Sequence, residues 1–395
     1  VSVEVVSLGC RLNLAESERL RGLLAGGAVG EDLVVVNSCS VTAEALRQTR
    51  AAIRRARRAR PDARLLVTGC AAETDRAELI AMDEIDGLVA NADKLDARAW
   101  NLPASTARPS PFTHHTRAFV AVQTGCDHTC TFCVIPQGRG SSRSRLIGEV
   151  VDEIAALVDA GVAEVVLTGV DLTSWGHDLA DAPQLGDLVG AVLAACPALP
   201  RLRLSSLDGA EIDDALFELL AHEPRLMPHV HLSLQHGHDL ILKRMKRRHS
   251  RGQAEQLVAR LRARRPEIAI GADVIAGFPT EDDTAHEANM AMIDNLGIVH
   301  GHIFPFSARA TTPAARMPQV SAPVIRARAA QLREAVSRVR DAWLSSHLHQ
   351  PLEVLAERDG TGHAPDFARV RVAPGTPAGA IVTVTPTRIE SGLLA

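Results

Sequence analysis

Three apolar runs near the start of the chain, residues 3–8, 33–36 and 65–67, each lead through a short polar or glycine stretch to a cysteine: Cys10, Cys39 and Cys70. The spacing is close to the ~30 residues of one βαβ unit. Helix-period stretches fill the gaps at 15–24, 43–60 and 73–82, before a further apolar run at 85–89. Near-continuous apolar strands alternating with helices predict a doubly wound parallel sheet, covered on both faces. The three thiols should then emerge together at the carboxyl edge, where open α/β sheets bind ligands. The plainer alternative is three thiols buried at strand ends.

Three more of the seven cysteines are packed into Cys126-Asp127-His128-Thr129-Cys130-Thr131-Phe132-Cys133. The i, i+4, i+7 spacing would also suit one face of a helix. However, Asp127, His128 and Thr129 are polar and the stretch follows a strand pattern, so a loop wrapped around a metal is expected. Zinc knuckles take four ligands, commonly as two Cys-x-x-Cys pairs, and one such pair is present; His128 is a possible fourth ligand but sits inside the loop. Three thiolates can instead hold an iron–sulfur cluster and leave one iron without a protein ligand, the open position that a catalytic site keeps. Two such sets point to redox chemistry rather than to a metal staple.

The 395 residues suffice for two or three cores. The odd cysteine count and the spacing do not read as a secreted disulfide framework. No apolar run approaches the ~20 residues of a membrane span, and no basic-then-apolar leader is visible, so a cytoplasmic protein with no membrane partner is expected. Five segments are expected. Residues 1–102 form the α/β domain and 103–117, rich in Pro, Ser, Thr and His, a linker. Residues 118–322 repeat a strand–helix unit six times, with strands at 119–124, 164–170, 203–207, 229–234, 268–275 and 299–306. The helices between them are expected at 148–159, 185–195, 211–221, 251–264 and 282–295. Six βα units are too few to close an eight-stranded barrel, which implies a partial (βα)6 barrel with its chemistry at the carboxyl strand ends. A helix at 323–347 dominates a connecting segment, 323–350. Residues 351–395 form a small β module, with strands at 352–356, 368–372 and 380–384.

The net charge of −4 hints at no polyanionic partner, but local charge does. Arg47, Arg50, Arg54, Arg55, Arg57, Arg58 and Arg60 crowd one helix, and Lys243, Arg244, Lys246, Arg247, Arg248 and Arg251 form a second cluster. Either these are solvated helix faces or they dock phosphates. Aromatic residues make up 3% of the chain and tyrosine is absent, so backbone contact is favoured over base stacking.

Cys-x-x-x-Cys-x-x-Cys after a first barrel strand resembles the radical S-adenosylmethionine superfamily. Thr168-Gly169-Val170-Asp171 and the stretch from Gly271 through Asp273, Val274, Gly277 and Pro279 to Glu281 are similar to its cofactor-binding segments. With the three-cysteine α/β domain and a TRAM-like β end, the chain resembles the methylthiotransferases. Cys10-Arg11-Leu12-Asn13 with Glu16-Ser17-Glu18, Asn37-Ser38-Cys39 and Lys243-Arg244-Met245-Lys246-Arg247-Arg248-His249 look like the branch acting on N6-threonylcarbamoyladenosine in tRNA. So does the 126–133 motif continued by Val134-Ile135-Pro136 and Gly138-Arg139-Gly140.

The resemblance implies two 4Fe–4S clusters, one on Cys126, Cys130 and Cys133 and one on Cys10, Cys39 and Cys70. It also implies S-adenosylmethionine against Phe132, Gly169, Asp171, Ser205, Gln235, Val274 and Gly277. The partners it implies are tRNA on Arg54, Arg55, Arg57, Arg58, Lys243, Arg247 and Arg248, an electron donor and a sulfur source, around a monomeric enzyme. No side-chain acid or base is expected to be catalytic, since an aromatic C2–H offers neither an acidic proton nor a leaving group. The rival readings are methylthiolation of isopentenyladenosine in tRNA or of a ribosomal-protein aspartate, and a non-catalytic RNA-binding protein with structural metals. His236 and His238 stand where the family usually has Ser and Asp.

Overall fold

The computed structural model describes residues 2–26, 32–102 and 116–395. Most of the expected linker, residues 103–115, lies outside the described residues. The chain forms two compact units. The first comprises Val1–Thr113, Gln123–Arg143 and Ser307–Ala315; the second comprises His114–Val122, Ser144–Phe306 and Arg316–Ala395.

In the first unit, β1 (Val3–Ser7), β2 (Leu33–Ser38), β3 (Arg64–Gly69) and β4 (Gly87–Leu88) pair in parallel in that order. Side-chain alternation gives the sheet two apolar faces. Leu20 and Leu24 of α1 (Arg11–Gly26) and Trp100 cover Val5, Leu33 and Val35 on one face. Leu46 and Ile53 of α2 (Ala43–Ala59) cover Val34, Val36, Leu65 and Val67 on the other. The expected helix over 73–82 is two short ones, α3 (Cys70–Thr74) and α4 (Arg76–Ile80). They part at Asp75, whose φ of −128° leaves the helical range and whose carboxylate takes Arg309 Nη2 at 2.7 and 2.9 Å.

The second unit begins with β5 (Arg117–Ala121), the first of six parallel strands. The short strands β6 (Gln123–Thr124) and β7 (Arg143–Ser144) and helix α5 (Ile135–Arg139) come next in the chain, so the expected strand over 119–124 is interrupted at Val122. β5, β8 (Glu164–Thr168) and β9 (Arg201–Leu204) form one three-stranded sheet; β10 (His229–Gln235), β11 (Ala269–Ala276) and β12 (Ile298–Pro305) form another. The N–H groups of Leu207 and Ser233, donating to His231 O and Leu207 O at 2.8 Å, carry the arc across the gap. The result is the open (βα)6 half-barrel.

Its outer face carries α6 (Ile147–Asp159), α7 (Leu185–Ala195), α8 (Asp214–His222), α9 (Asp239–Met245), α10 (Arg251–Arg264), α11 (Asp283–Leu296) and α12 (Ala322–Ser345). Helix α8 starts three residues later than expected because Asp213 is its N-cap, accepting from Leu216 N–H at 2.8 Å. Helix α9 escaped prediction because it is only seven residues long.

The C-terminal module is richer than expected. It has six strands: β13 (Leu352–Ala356), β14 (Thr361–His363), β15 (Arg369–Arg371), β16 (Ile381–Val384), β17 (Ile389–Glu390) and β18 (Leu393–Leu394). Val354, Ala356, Val370 and Leu394 form its core. Phe367 stacks on His229, the first residue of β10, with ring centroids 5.1 Å apart. Arg203 donates to the carbonyls of Ala364 and Pro365 at 2.9 and 2.8 Å, so the module closes the amino end of the half-barrel.

Candidate functional site

Parallel register brings the dispersed thiols together. Ser7 pairs with Asn37, and Ser38 pairs with Gly69, so Cys39 and Cys70 come directly after paired residues about one strand spacing, ~4.8 Å, apart. Gly9, at φ +88°, lets Cys10 turn in beside them: a Cβ there would fall 2.6 Å from Cys39 Sγ. Cys10 is exposed, whereas Cys39 and Cys70 are buried. Burial pushes the Cys39 thiol up to about 11, with the neighbouring Cys10 and Cys70 adding to the rise. Burial also raises Cys70, against the pull of Arg139. Such thiols stay protonated at neutral pH until a cation displaces their protons.

A buried polar knot holds the strand ends that lead to Cys10 and Cys39. Asn13 Nδ2 donates to Leu8 O and Ser38 O at 2.7 and 2.9 Å, fixing the chain before Cys10 and before Cys39. Its Oδ1 accepts from Arg139 Nη2 at 2.5 Å. Arg139 also grips both oxygens of Glu16, at 2.8 and 2.9 Å, and Lys94 Nζ approaches Glu16 Oε2 at 2.5 Å. Burial alone would raise the Glu16 carboxyl, but Lys94 and Arg139 overcome it and hold it down at about 2. One carboxylate between two cations leaves one positive charge in excess beside three thiols. That excess suits an anionic thiolate-bound cluster, so the residues present fit the implied group.

The second set lies on a loop, as 125–134 carry no helix. Cys126 N–H donates to Gly140 O at 3.1 Å, Cys133 N–H to Cys130 O at 3.2 Å, and Ala314 N–H to Thr131 O at 2.9 Å. Ile135 N–H points at Cys133 Sγ, 3.4 Å away. All three cysteines are half-buried. Phe132 sits among them on the same loop.

The five residues of α5 then join the two sets. Gly138 lies so close to Cys70 that a Cβ on it would be 3.2 Å from Cys70 Cβ, and its carbonyl accepts from Asn91 Nδ2 at 2.6 Å. Arg139, the next residue, is the one that grips Glu16. All six cysteines therefore belong to one compact unit. Sequence reasoning quoted Asn13, Glu16 and Arg139 only as parts of motifs. It missed Asn91 and Lys94, which carry no local signal.

In the second unit, Gly169, Asp171 and Ser205 lie just past the carboxyl ends of β8 and β9, and Gln235 closes β10 in a left-handed conformation at φ +66°. Asp171 is buried and accepts from Ser174 Oγ at 2.8 Å. Ser205 is buried, and among the described residues its Oγ has no hydrogen-bond partner. Val274 is fully buried and alternates with the inward Asp273, so only its backbone is available to a ligand inside the barrel. Gly277, at φ +74°, backs onto Ile325 of α12.

Buried His236 accepts from His238 N–H at Nδ1, 3.0 Å, and approaches Glu281 Oε2 at 3.1 Å through Nε2. Glu281 also receives Gly277 N–H at 2.9 Å and Arg328 at 3.1 Å, so His236 clasps the strand end to the 277–281 turn. Cys196 caps α7, and its carbonyl accepts from Arg225 at 3.2 Å.

The basic clusters are divided. Arg57 spends its guanidinium on Asp86 at 2.6 Å and on the carbonyls of Glu84, Pro61 and Ala63. Arg247 spends its own on Asp208 and Ser233 O, at 2.9 and 2.8 Å. Both were expected at phosphates; the structure commits them to the fold. Arg54 lies 3.5 Å from Glu84, Arg248 pairs with Glu211, and Arg55, Arg58 and Lys243 are exposed.

The half-barrel and its three-cysteine loop define the class. Residues 120–292 match the Radical SAM superfamily, and residues 2–90 match the Uncharacterized protein family UPF0004. A radical S-adenosylmethionine methyltransferase, TsrM, from Kitasatospora setae has a similar fold (TM-score 0.54, 18% identity, 72% of this chain and 66% of that one).

Full-length likeness narrows this further. The chain is 40% identical to the threonylcarbamoyladenosine tRNA methylthiotransferase MtaB of Rickettsia prowazekii, over 99% of this chain and 96% of that protein. It is 31% identical to the MtaB of Bacillus subtilis, over 89% and 84%. It is 33% identical to the tRNA-2-methylthio-N(6)-dimethylallyladenosine synthase of Cereibacter sphaeroides, over 90% and 87%. The chain belongs to the radical S-adenosylmethionine methylthiotransferase family, whose cofactors are 4Fe–4S clusters and S-adenosylmethionine.

Proposed function

We propose that this enzyme replaces the C2 hydrogen of N6-threonylcarbamoyladenosine, beside the anticodon of tRNA, with a methylthio group. The observation that carries the reading is the gathering of two three-cysteine sets in one compact unit, joined by α5. The choice of base rests on the 40% identical relative from Rickettsia prowazekii. Cys126, Cys130 and Cys133 hold one 4Fe–4S cluster, and Cys10, Cys39 and Cys70 hold the other. Together with S-adenosylmethionine, these groups supply the radical and the sulfur chemistry that an unactivated C–H bond requires.

The protein's part is placement. Asn13, Glu16, Lys94 and Arg139 fix the dispersed thiols and balance their charge. Asp171, Ser205 and Gln235 present polar groups at the barrel's carboxyl end, where the amino acid and ribose parts of S-adenosylmethionine need them. Arg54, Arg55 and Arg58 on α2, with Lys243 and Arg248, meet the tRNA backbone. An electron donor and a sulfur source complete the system. No helix among the described residues is long and apolar enough to cross a membrane, and we infer a monomer working in the cytoplasm.

The test is nucleoside mass analysis of tRNA from a deletion strain. Loss of 2-methylthio-N6-threonylcarbamoyladenosine, restored by the wild-type gene but not by a Cys130→Ala copy, is the expected result. Loss of 2-methylthio-isopentenyladenosine instead would move the enzyme to the branch of the Cereibacter relative.

A further inference from the structure

Inside the half-barrel, three side chains from neighbouring strands meet: His231 of β10, Asp273 of β11 and His302 of β12. His231 Nε2 and His302 Nδ1 stand 3.0 and 3.1 Å from the same oxygen, Asp273 Oδ1, and the three atoms lie within 4.8 Å of one another. Their direction is fixed by strand alternation. A Cβ on Gly301 would strike Val336 of α12, so residue 301 faces the outer helices and His302 faces inward. Space for the His231 ring is made by Gly271, where a Cβ would fall 2.4 Å from Nδ1. His231 is buried while the His302 side chain is 58% exposed, so the group is anchored on one side and open on the other.

Charge sets this cluster apart. The buried carboxylates of Glu16, Glu164, Asp208 and Glu281 each face an arginine or lysine. Among the described residues, the ion-pair partners of Asp273 are the two imidazoles alone. A carboxylate largely withdrawn from water and without a permanent cation is costly unless something neutralises it. Two ring nitrogens and one carboxylate oxygen are a donor set that first-row divalent metals accept, with three protein ligands and open positions. Ligand bonds of ~2.1 Å at the tetrahedral angle put neighbouring donor atoms ~3.4 Å apart, so the 3.0 and 3.1 Å separations here would open by only a few tenths of an ångström around a bound zinc.

We propose that His231 Nε2, Asp273 Oδ1 and His302 Nδ1 form a three-ligand site for a divalent first-row cation, zinc above all. Its remaining positions open inward to water or an anionic oxygen ligand. This site is separate from the cysteine clusters, and none of its ligands is a thiolate.

The experiment uses anaerobically reconstituted enzyme dialysed to equilibrium against micromolar zinc chloride. Bound zinc is measured by elemental analysis and its neighbours by X-ray absorption at the zinc edge. Wild type and a Cys196→Ala variant should each retain about one zinc per chain, with nitrogen and oxygen neighbours only. His302→Ala and Asp273→Asn should each lose at least about tenfold in zinc affinity, with iron content and circular dichroism unchanged. Because His302 is exposed, its variant keeps the fold even if the Asp273 variant does not. Zinc well below one per chain in the wild type, equal zinc in His302→Ala, or sulfur neighbours at the zinc edge would each overturn the proposal. Zinc-free wild type would leave the trio as a hydrogen-bonded imidazole–carboxylate–imidazole array.

Discussion

The dispersed thiols of the N-terminal sheet and the clustered thiols of the 126–133 loop reach the same number by opposite routes. Cys10, Cys39 and Cys70 meet only because three parallel strands end in register, so their site exists only when the sheet exists. Cys126, Cys130 and Cys133 are neighbours in the chain, and their loop needs few contacts beyond Gly140 and Ala314 to close. The burial differs accordingly. Two of the dispersed thiols are buried beside a knot of three charged side chains, while all the loop thiols remain half-open. A site made by topology can be walled in and electrostatically tuned, whereas a site made by a loop keeps an approach open. Under the proposed function, the loop site is the one that admits S-adenosylmethionine.

The sharpest test of that contrast removes one site at a time. Replacing Cys126, Cys130 and Cys133 by alanine should abolish 5′-deoxyadenosine formation and halve the iron, from about eight to about four per chain. The dispersed site should survive. Reductive cleavage that persisted in the triple variant would break the assignment. The reverse experiment, Cys39→Ala, should preserve 5′-deoxyadenosine formation, lose methylthiolated product and also halve the iron. Unchanged product would refute the role given to the sheet-edge thiols.

The next largest effect is expected in the knot. Glu16→Gln leaves Lys94 and Arg139 buried without their counter-charge, which should cost about 3–5 kcal/mol. Denaturant unfolding at neutral pH measures it, and a loss below about 1 kcal/mol would mean that the knot adds little beyond a surface pair.

Acid provides a gentler probe of the second unit. Burial pushes His300 down to about 4. The fold therefore favours the neutral ring over the unfolded chain, where the value is about 6.5. That contribution is complete above pH 6.5 and is lost as the pH falls toward 4, at up to about 1.4 kcal/mol per pH unit. A His300→Gln variant should show a shallower fall in melting temperature between pH 6.5 and 5. Parallel curves would assign the acid sensitivity elsewhere.

The smallest effect belongs to the basic helix. Arg55→Gln with Arg58→Gln should flatten the salt dependence of tRNA binding by about 0.7–0.9 per lost contact in the log–log slope. Arg57→Gln should instead lower stability, because its guanidinium ties α2 to the chain around Asp86. Superimposable salt titrations for the double variant would reduce α2 to a solvated face.

Local pattern carried most of the fold. Each cysteine-terminated apolar run became a strand, and the six inner strands appeared near their expected places, with β5 stopping at Ala121 and β9 starting two residues early and ending at Leu204. The errors came where side chains act at a distance. Asp75 ends a helix because Arg309, remote in sequence, takes its carboxylate. Arg57 and Arg247 look like surface charge in a one-dimensional reading, and only folding reveals the carbonyls and acids that consume them. Lys94 gave no warning at all, since its partners Glu16 and Asn37 lie 78 and 57 residues away. His236 is accounted for by one contact: the ring reaches Glu281 and is satisfied there.

Helix α5 also sets a rule about length. Each residue added to a helix rotates the downstream chain by ~100° and advances it by ~1.5 Å. Between Cys133 and Arg139, a single insertion would swing the guanidinium away from Glu16 and lift Gly138 off Cys70, although every original side chain were retained. Substitutions in this stretch can be judged one by one, by size and charge. Insertions and deletions cannot, because they break the register between the two cysteine sets at once. Among descendants of such a gene, the count of residues from Cys133 to Arg139 should therefore drift far less than their identity.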